Sequence, residues 1–223
     1  MAKKLIKAKK PLRSAFARAT TINERLAQHY PDAHCALHHK NALELLVATI
    51  LSAQCTDAMV NKVTPDLFKR CPSAKAFAEI DQEELETLIR RTGFFRAKAK
   101  NIKAAATMIV EKFKGEVPNT LDQLIQLPGV ARKTANVVLG ECFDTPGITV
   151  DTHVGRLSRR MGFTKEEDPV KVERELHALI PQEDWTLFSH RMIWHGRQIC
   201  IARKPKCDVC PLADVCPKLG VEA

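Results

Sequence analysis

One lysine, one aspartate and four cysteines carry most of the chemical information in this sequence. Lys133 stands in Leu127-Pro128-Gly129-Val130-Ala131-Arg132-Lys133-Thr134-Ala135-Asn136. Apolar helical residues run into a Pro-Gly turn, and a second helix opens with the lysine in its first turn. Proline fixes one dihedral and glycine admits conformations that other residues resist, so the turn is tight. A helix that starts there aims unpaired N–H groups outward, a ready place for a phosphate. On this segment alone an ordinary helix–turn–helix corner explains the residues as well. Asp151, in Val150-Asp151-Thr152-His153, follows 18 residues later, enough for a helix and a crossover to bring the chain back. A neutral lysine amine can attack an electrophilic carbon and hold it as a Schiff base. Taken singly, Lys133 reads as an exposed helical lysine and Asp151 as an N-cap before Thr152.

The cysteines divide into two groups. Cys35, Cys55, Cys71 and Cys142 are scattered and read as buried apolar residues or isolated thiols. Cys200, Cys207, Cys210 and Cys216 follow a Cys-x6-Cys-x2-Cys-x5-Cys pattern. Turns at Lys204-Pro205-Lys206 and Cys210-Pro211 let the four converge, and the ligand set permits zinc or an iron–sulfur cubane. Structural zinc more often shows two close pairs, so the single close pair favours a [4Fe–4S] cluster. Arg203, Lys204 and Lys206 in the same loop suit a structural role in which the cluster pins a charged loop, with a redox relay as the other use.

The elements that must position these residues are helical. Leu43, Leu46, Val47, Ile50 and Leu51 mark a helix buried on most sides within Asn41 to Thr56, and polarity resumes at Ser52, Gln54, Thr56 and Asp57. Helices are expected from about Phe16 to His29, Asp57 to Lys69, and from either Ser73 or Asp81 to Arg91. Others run over Arg96 to Phe113, Leu121 to Ile125, Ala131 to Leu139, Val154 to Met161, Val170 to Leu179 and Trp185 to Gln198. Ile102, Ala105, Ala106 and Ile109 make the apolar side of the long one. Its Arg96, Lys98, Lys100 and Lys103 read as a solvated face or a phosphate-facing row. Strand alternation and nucleotide-binding glycine loops are absent. The fold class is therefore all-α.

The chain of 223 residues has 35 Lys+Arg against 26 Asp+Glu, a formal charge of +9. That excess fits a polyanionic partner, and the 5% aromatic content argues against a base-stacking sheet. The basic lead-in at residues 3–13 lacks the apolar core of a signal peptide, and no apolar run reaches the length of a membrane span. The expected address is cytoplasmic.

In combination these features resemble endonuclease III, the bacterial helix-hairpin-helix DNA glycosylase/AP lyase family. The resemblance spans about residues 25 to 217. It rests on Leu51-Ser52-Ala53-Gln54-Cys55-Thr56-Asp57, the Leu127–Val138 stretch, Val150-Asp151-Thr152-His153 and the four spaced cysteines. It implies a helix-hairpin-helix DNA glycosylase fold: a six-helix barrel lobe at 36–145, with the hairpin at about 121–140, beside a helical lobe of 1–35 and 146–223. The cluster-bearing lobe would hold [4Fe–4S] on Cys200, Cys207, Cys210 and Cys216. The implied activity is base excision repair of damaged double-stranded DNA, removing oxidised pyrimidines and then cutting 3′ to the abasic site by β-elimination. A nucleoid-associated monomer is implied as well.

By resemblance the catalytic lysine falls on Lys133 and the catalytic aspartate on Asp151. A carboxylate there stabilises a cationic sugar, as in glycosidases, and assists deprotonation of the amine. Burial and the neighbouring Arg132 would help keep the lysine neutral. Gln54 matches the residue that fills the gap left by an extruded base. Gly129, Ala131, Arg132, Thr134 and His153 complete the expected DNA contacts, while His195 beside Trp194 and Arg197 reads as packing near the cluster. Ala131 departs from the family, which usually has glycine there so that backbone can approach a phosphate. Relatives of the same fold specialised for A/G or T/G mismatches, photoproducts or alkylated bases are the rival readings, with a non-catalytic DNA-binding or redox-sensing protein as a further one. Lys133 speaks against the monofunctional adenine type, which carries a non-nucleophilic residue there and ordinarily extends beyond the point where this chain ends. Lys133 and Asp151 together speak against a non-catalytic role.

Overall fold

Short side chains placed just ahead of apolar runs decide where this chain turns helical. In the computed structural model, which describes residues 15–221, Asn41 accepts a hydrogen bond from the Glu44 N–H at 3.0 Å and Thr56 accepts from Met59 at 3.3 Å. Ser73 accepts from Ala76 at 3.2 Å, and Asp81 accepts from Glu83 and Glu84. Each cap satisfies N–H groups that the first helical turn would leave without partners. The basic lead-in at residues 3–13 lies outside the described residues.

The helices in chain order are α1 (Ala15–His29), α2 (Ala42–Leu51), α3 (Asp57–Arg70), α4 (Ala74–Glu79), α5 (Gln82–Ile89), α6 (Phe95–Phe113), α7 (Leu121–Leu124), α8 (Arg132–Cys142), α9 (Thr152–Arg160), α10 (Pro169–His177) and α11 (Trp185–Gln198). No strand occurs among the described residues, so the all-α reading holds. One detail differs from the spacing-based expectation and a second follows it. Ser73 and Asp81 both start helices, because Ile80 breaks the helical path between them with ψ 144°. The first buried helix stops at Leu51, and Ser52 to Thr56 form a turn where the apolar run gives out.

The chain divides into two compact units, Cys35–Thr145 and a second made of the segments on either side of it. In the Cys35–Thr145 unit α4 packs on α6, and α2 and α7 pack on α8. Its core draws Leu45, Leu46 and Leu51 from α2, Phe77 from α4, Ile102 and Ile109 from α6, and Val138 from α8. Burying aliphatic and aromatic side chains at this density stabilises the unit by roughly 1.5–3 kcal/mol for each large side chain. Cys71 is buried there, and Cys35, Cys55 and Cys142 pack against the core half-exposed.

In the other unit α11 packs on α1 and α9, and α9 packs on α10. Ile22, Leu26, Leu157, Leu176, Phe188 and Leu212 form its centre. Polar contacts explain why α1 joins a segment so distant in sequence. The Arg18 guanidinium donates to the Met161 and Gly162 carbonyls, both at 2.7 Å, and Arg25 donates to the Pro211 carbonyl and the Asp214 carboxylate.

Candidate functional site

The hairpin is built around one glycine that no other residue can replace at low cost. Leu124, Leu127 and Val130 are buried and hold the turn to the core. Between them Gly129 adopts φ +77°, and a Cβ there would stand 2.9 Å from the Asn101 Cβ. Both the left-handed backbone and the close approach of α6 therefore require glycine.

The chain leaves this turn in extended form at Ala131, φ −85° and ψ 167°, and enters α8. Alanine offers no side-chain acceptor, so α8 starts without a side-chain cap, unlike α2, α3, α4 and α5. No N-cap side chain competes there with an outside anion, which the helix dipole favours. Ala131 and Lys133 are exposed, Arg132 is half-buried and Thr134 is buried. Burial by the protein, expected to help neutralise Lys133, is thus absent. Thr134 is left with its backbone N–H rather than its side chain to offer.

Asp151 belongs to the other unit. It is the N-cap of α9 in extended backbone, and its Oδ1 accepts from the Val154 N–H at 2.8 Å. The cap uses one carboxylate oxygen and fixes the direction of the second. His153 lies two residues on, half-buried, with Nδ1 accepting from Arg156 Nη2 at 3.2 Å. It lies so close to α11 that a Cβ on Gly196 would meet its Nδ1 at 2.9 Å. Burial lowers the His153 imidazole pKa, with Asp151 opposing and Arg156 reinforcing that shift. His153 is therefore packed within its unit through Nδ1 while remaining half-buried.

Gln54 is exposed in the turn after α2 with φ +53°, a conformation uncommon for a residue with a side chain. Basic residues near it do not form the continuous face that their spacing suggests. Arg96 and Lys100 are exposed, but Lys98 is 5% exposed and Lys103 donates to the Ile80 carbonyl. Lys98 is the residue that the sequence reading missed. Its signal was present, since it precedes Ile102, Ala105 and Ile109 at the spacing of the buried face.

The four clustered cysteines follow α11 in loops that neighbouring cations hold in place. Arg160 donates to the Ile201 and Ala202 carbonyls at 2.7 Å each and reaches the Cys200 sulfur at 3.4 Å. Arg156 donates to the Gly196 and Cys200 carbonyls at 3.0 Å. His195 is fully buried, with Nε2 lying 3.6 Å from Cys210 Sγ and Nδ1 lying 3.0 Å from the Tyr30 hydroxyl. Were Cys210 a ligating thiolate, which only accepts, Nε2 would carry the proton and Nδ1 would accept from Tyr30.

Burial above all, opposed by a hydrogen bond to the Leu212 backbone and aided by the charges of Cys216, Cys200 and Cys207, pushes the Cys210 thiol up to about 11. The four sulfurs thus sense one another, although no three His, Cys, Asp or Glu side chains among the described residues gather around a single ion-sized point. An iron–sulfur cluster held by these sulfurs would favour their thiolate forms and so offset the burial that raises the Cys210 and Cys216 thiols.

Fold and cysteine motif together define a class. Residues 47–182 match the HhH-GPD superfamily of base excision DNA repair proteins, and residues 200–216 match the iron–sulfur binding domain of endonuclease III. The chain is 58% identical to endonuclease III of Synechocystis sp., covering 90% of this chain and 92% of the relative. It is 40% identical to that of Escherichia coli K12, covering 90% and 95%. The structure is similar to an endonuclease III solved in a non-covalent complex with DNA, at TM-score 0.88 and 45% identity, covering 93% of this chain and 97% of that one. A thermostable thymine-DNA glycosylase, 20% identical at TM-score 0.83, shares the fold. The chain belongs to the endonuclease III family. It is a bifunctional DNA glycosylase/AP lyase for oxidised pyrimidines and an iron–sulfur protein of the [4Fe–4S] type.

Two substitutions test this geometry. Gly129→Ala should lower stability by about 1–3 kcal/mol through strain and collision with Asn101, read by urea unfolding, and should weaken duplex binding at fixed salt. Wild-type values in both would contradict the turn described. Tyr30→Phe leaves buried His195 Nδ1 without its donor and should cost about 1–3 kcal/mol. Faster bleaching of visible absorbance in air would accompany it, and unchanged unfolding and bleaching would show that Tyr30 does not support the cluster lobe.

Proposed function

We propose that Lys133 is the nucleophile and Asp151 its carboxylate partner, with Cys200, Cys207, Cys210 and Cys216 holding the cluster. The observation that carries this reading is the exposed lysine in the first turn of a helix whose N–H groups have no side-chain cap. A phosphate taken by those N–H groups brings the adjoining sugar to the lysine. The hairpin turn at Gly129, the backbone of Ala131 and Thr134, and Arg132 supply that grip, with Gln54 reaching into the duplex.

Lys133 Nζ attacks the anomeric carbon, and the bond from that carbon to the damaged base breaks with its electron pair leaving on the base. Loss of a proton from nitrogen and opening of the sugar ring give the Schiff base. The imine acidifies the neighbouring sugar carbon, a base removes that proton, and the 3′ phosphate leaves as the new double bond forms. Asp151 stabilises the cationic sugar and takes the proton from the amine, its carboxylate oriented by the cap to Val154. Because the protein leaves Lys133 exposed, the docked duplex must supply the desolvation that favours the free amine. When bound, the cluster supplies a charged crosslink that fixes the Arg203–Lys206 loop. The protein acts as a cytoplasmic, nucleoid-associated monomer; among the described residues no helix is long and apolar enough to cross a membrane.

Borohydride reduction during reaction with an abasic duplex should trap a covalent adduct, and Lys133→Ala should reduce its yield by at least about 10²-fold. An adduct formed equally well by Lys133→Ala would overturn the assignment. Ala131→Gly probes the grip separately. Ala131 is unstrained, and glycine is a better N-cap than alanine, so the change should leave stability within a few tenths of a kcal/mol or raise it. Abasic duplex should bind several-fold tighter as the methyl is removed, in line with a gain of about 1 kcal/mol; equal affinity in a titration at fixed salt would count against it.

A further inference from the structure

Lys98 sits in a basic stretch of α6, yet its ammonium is directed inward. Nζ donates to the Leu51 carbonyl at 2.7 Å and to the Thr92 carbonyl at 2.8 Å, and the side chain is almost fully buried. Its backbone N–H donates to the Phe94 carbonyl at 3.1 Å. Leu51 is the last residue of α2, so its carbonyl has no partner from the helix ladder and the turn bearing Gln54 begins there. Thr92 leads into Gly93 and Phe94, both with positive φ. One cation therefore joins the roots of two turns, each holding a residue in an uncommon left-handed conformation.

Cys55 packs the Gln54 turn against the core, and the turn's other hydrogen bonds are local. Cys55 N–H donates to the Ser52 carbonyl at 3.0 Å, and the Ser52 hydroxyl donates to Thr49 at 2.8 Å. These bonds shape the turn but do not fix it to another element. The bridge through Lys98 does so, by linking the end of α2 to the start of α6. Burial lowers the Lys98 pKa, and the two carbonyl dipoles offset part of that cost.

We infer that Lys98 is a positioning residue for the DNA step, tying the Leu51 and Thr92 carbonyls together so that Gln54 is held ready to enter the space vacated by an extruded base. The inference rests on the proposed entry of Gln54 into the duplex. It is distinct from any contact by Lys98 with phosphate, which its burial prevents.

The test uses the full chain with its cluster and two duplexes carrying a reduced abasic analogue: one with a normal base opposite, one with a second abasic analogue opposite. Gln54→Ala should weaken binding to the first duplex by about tenfold, the scale of one lost polar contact. Lys98→Met, which keeps the stem and removes the donors, should weaken it similarly, and the double variant should bind no worse than the weaker single one. With no base opposite, all should bind like the wild type, since Gln54 has no partner there. Wild-type binding by Gln54→Ala on the first duplex would overturn the reading of Gln54. A normal response in Gln54→Ala with no loss in Lys98→Met, additive losses, or a Lys98→Met loss that persists on the second duplex would overturn the role of Lys98. Circular dichroism and cluster absorbance establish folding. If Lys98→Met does not fold, Lys98→Gln is measured in the same scheme, and the same outcomes decide.

Discussion

Backbone carbonyls at the ends of short helices set the main constraint on this protein. An all-helical chain with frequent breaks exposes many such groups, and each one buried without a donor costs on the order of 1–3 kcal/mol. Here long cationic side chains from neighbouring helices supply the donors. Lys98 takes Leu51 and Thr92, Arg160 takes Ile201 and Ala202, Arg156 takes Gly196 and Cys200, and Arg18 takes Met161 and Gly162. The segments pinned in this way are the Gln54 turn, the cluster loop and the junction after α9. Without these donors the turns would keep their local hydrogen bonds but lose their polar attachment to the helices behind them.

This constraint alters the meaning of the net charge. A formal +9 suggests a surface prepared for a polyanion, and the lysines and arginines of α6 look like part of it. Several of the cations instead face inward and hold carbonyls. The charge free to meet DNA is therefore smaller than composition indicates, because cations such as Lys98 and Arg160 are buried. Association driven by counterion release scales with the cations that reach phosphate, not with the formal total.

Much of the architecture was legible because local rules and tertiary packing agree. Ser73 and Asp81 each cap a helix, α2 is apolar all round because it lies in the core, and the Pro-Gly turn bends where Gly129 must adopt positive φ. The cysteine spacing was legible for a different reason: few arrangements other than a metal centre place four thiols so close in a short loop. What escaped was the direction of polar side chains. Periodicity fixes the side of α6 on which Lys98 lies, but not which carbonyls wait there. Those come from Leu51 and Thr92, one of them 47 positions away. His153 presented the same difficulty, since its engagement depends on Gly196 leaving room in α11. Pro65 ran against a local rule, because α3 continues through it and ends only before Cys71-Pro72.

The two helix starts that bear the proposed catalytic pair are chemically opposite. α9 has one first-turn donor, the Val154 N–H, engaged by Asp151, which keeps a carboxylate in a fixed direction and leaves less positive potential for an outside anion. α8 has an alanine at the same position, so no N-cap side chain takes the donors beside Lys133. A serine or aspartate at 131 would make a more stable helix, as at α4 and α5, and would close the proposed anion site. The requirement at this position is therefore the absence of a capping side chain. Glycine and alanine both meet it, and they differ in how closely the backbone can approach a phosphate. Ala131 thus preserves the open helix end on which the placement of Lys133 depends, at the expense of close approach.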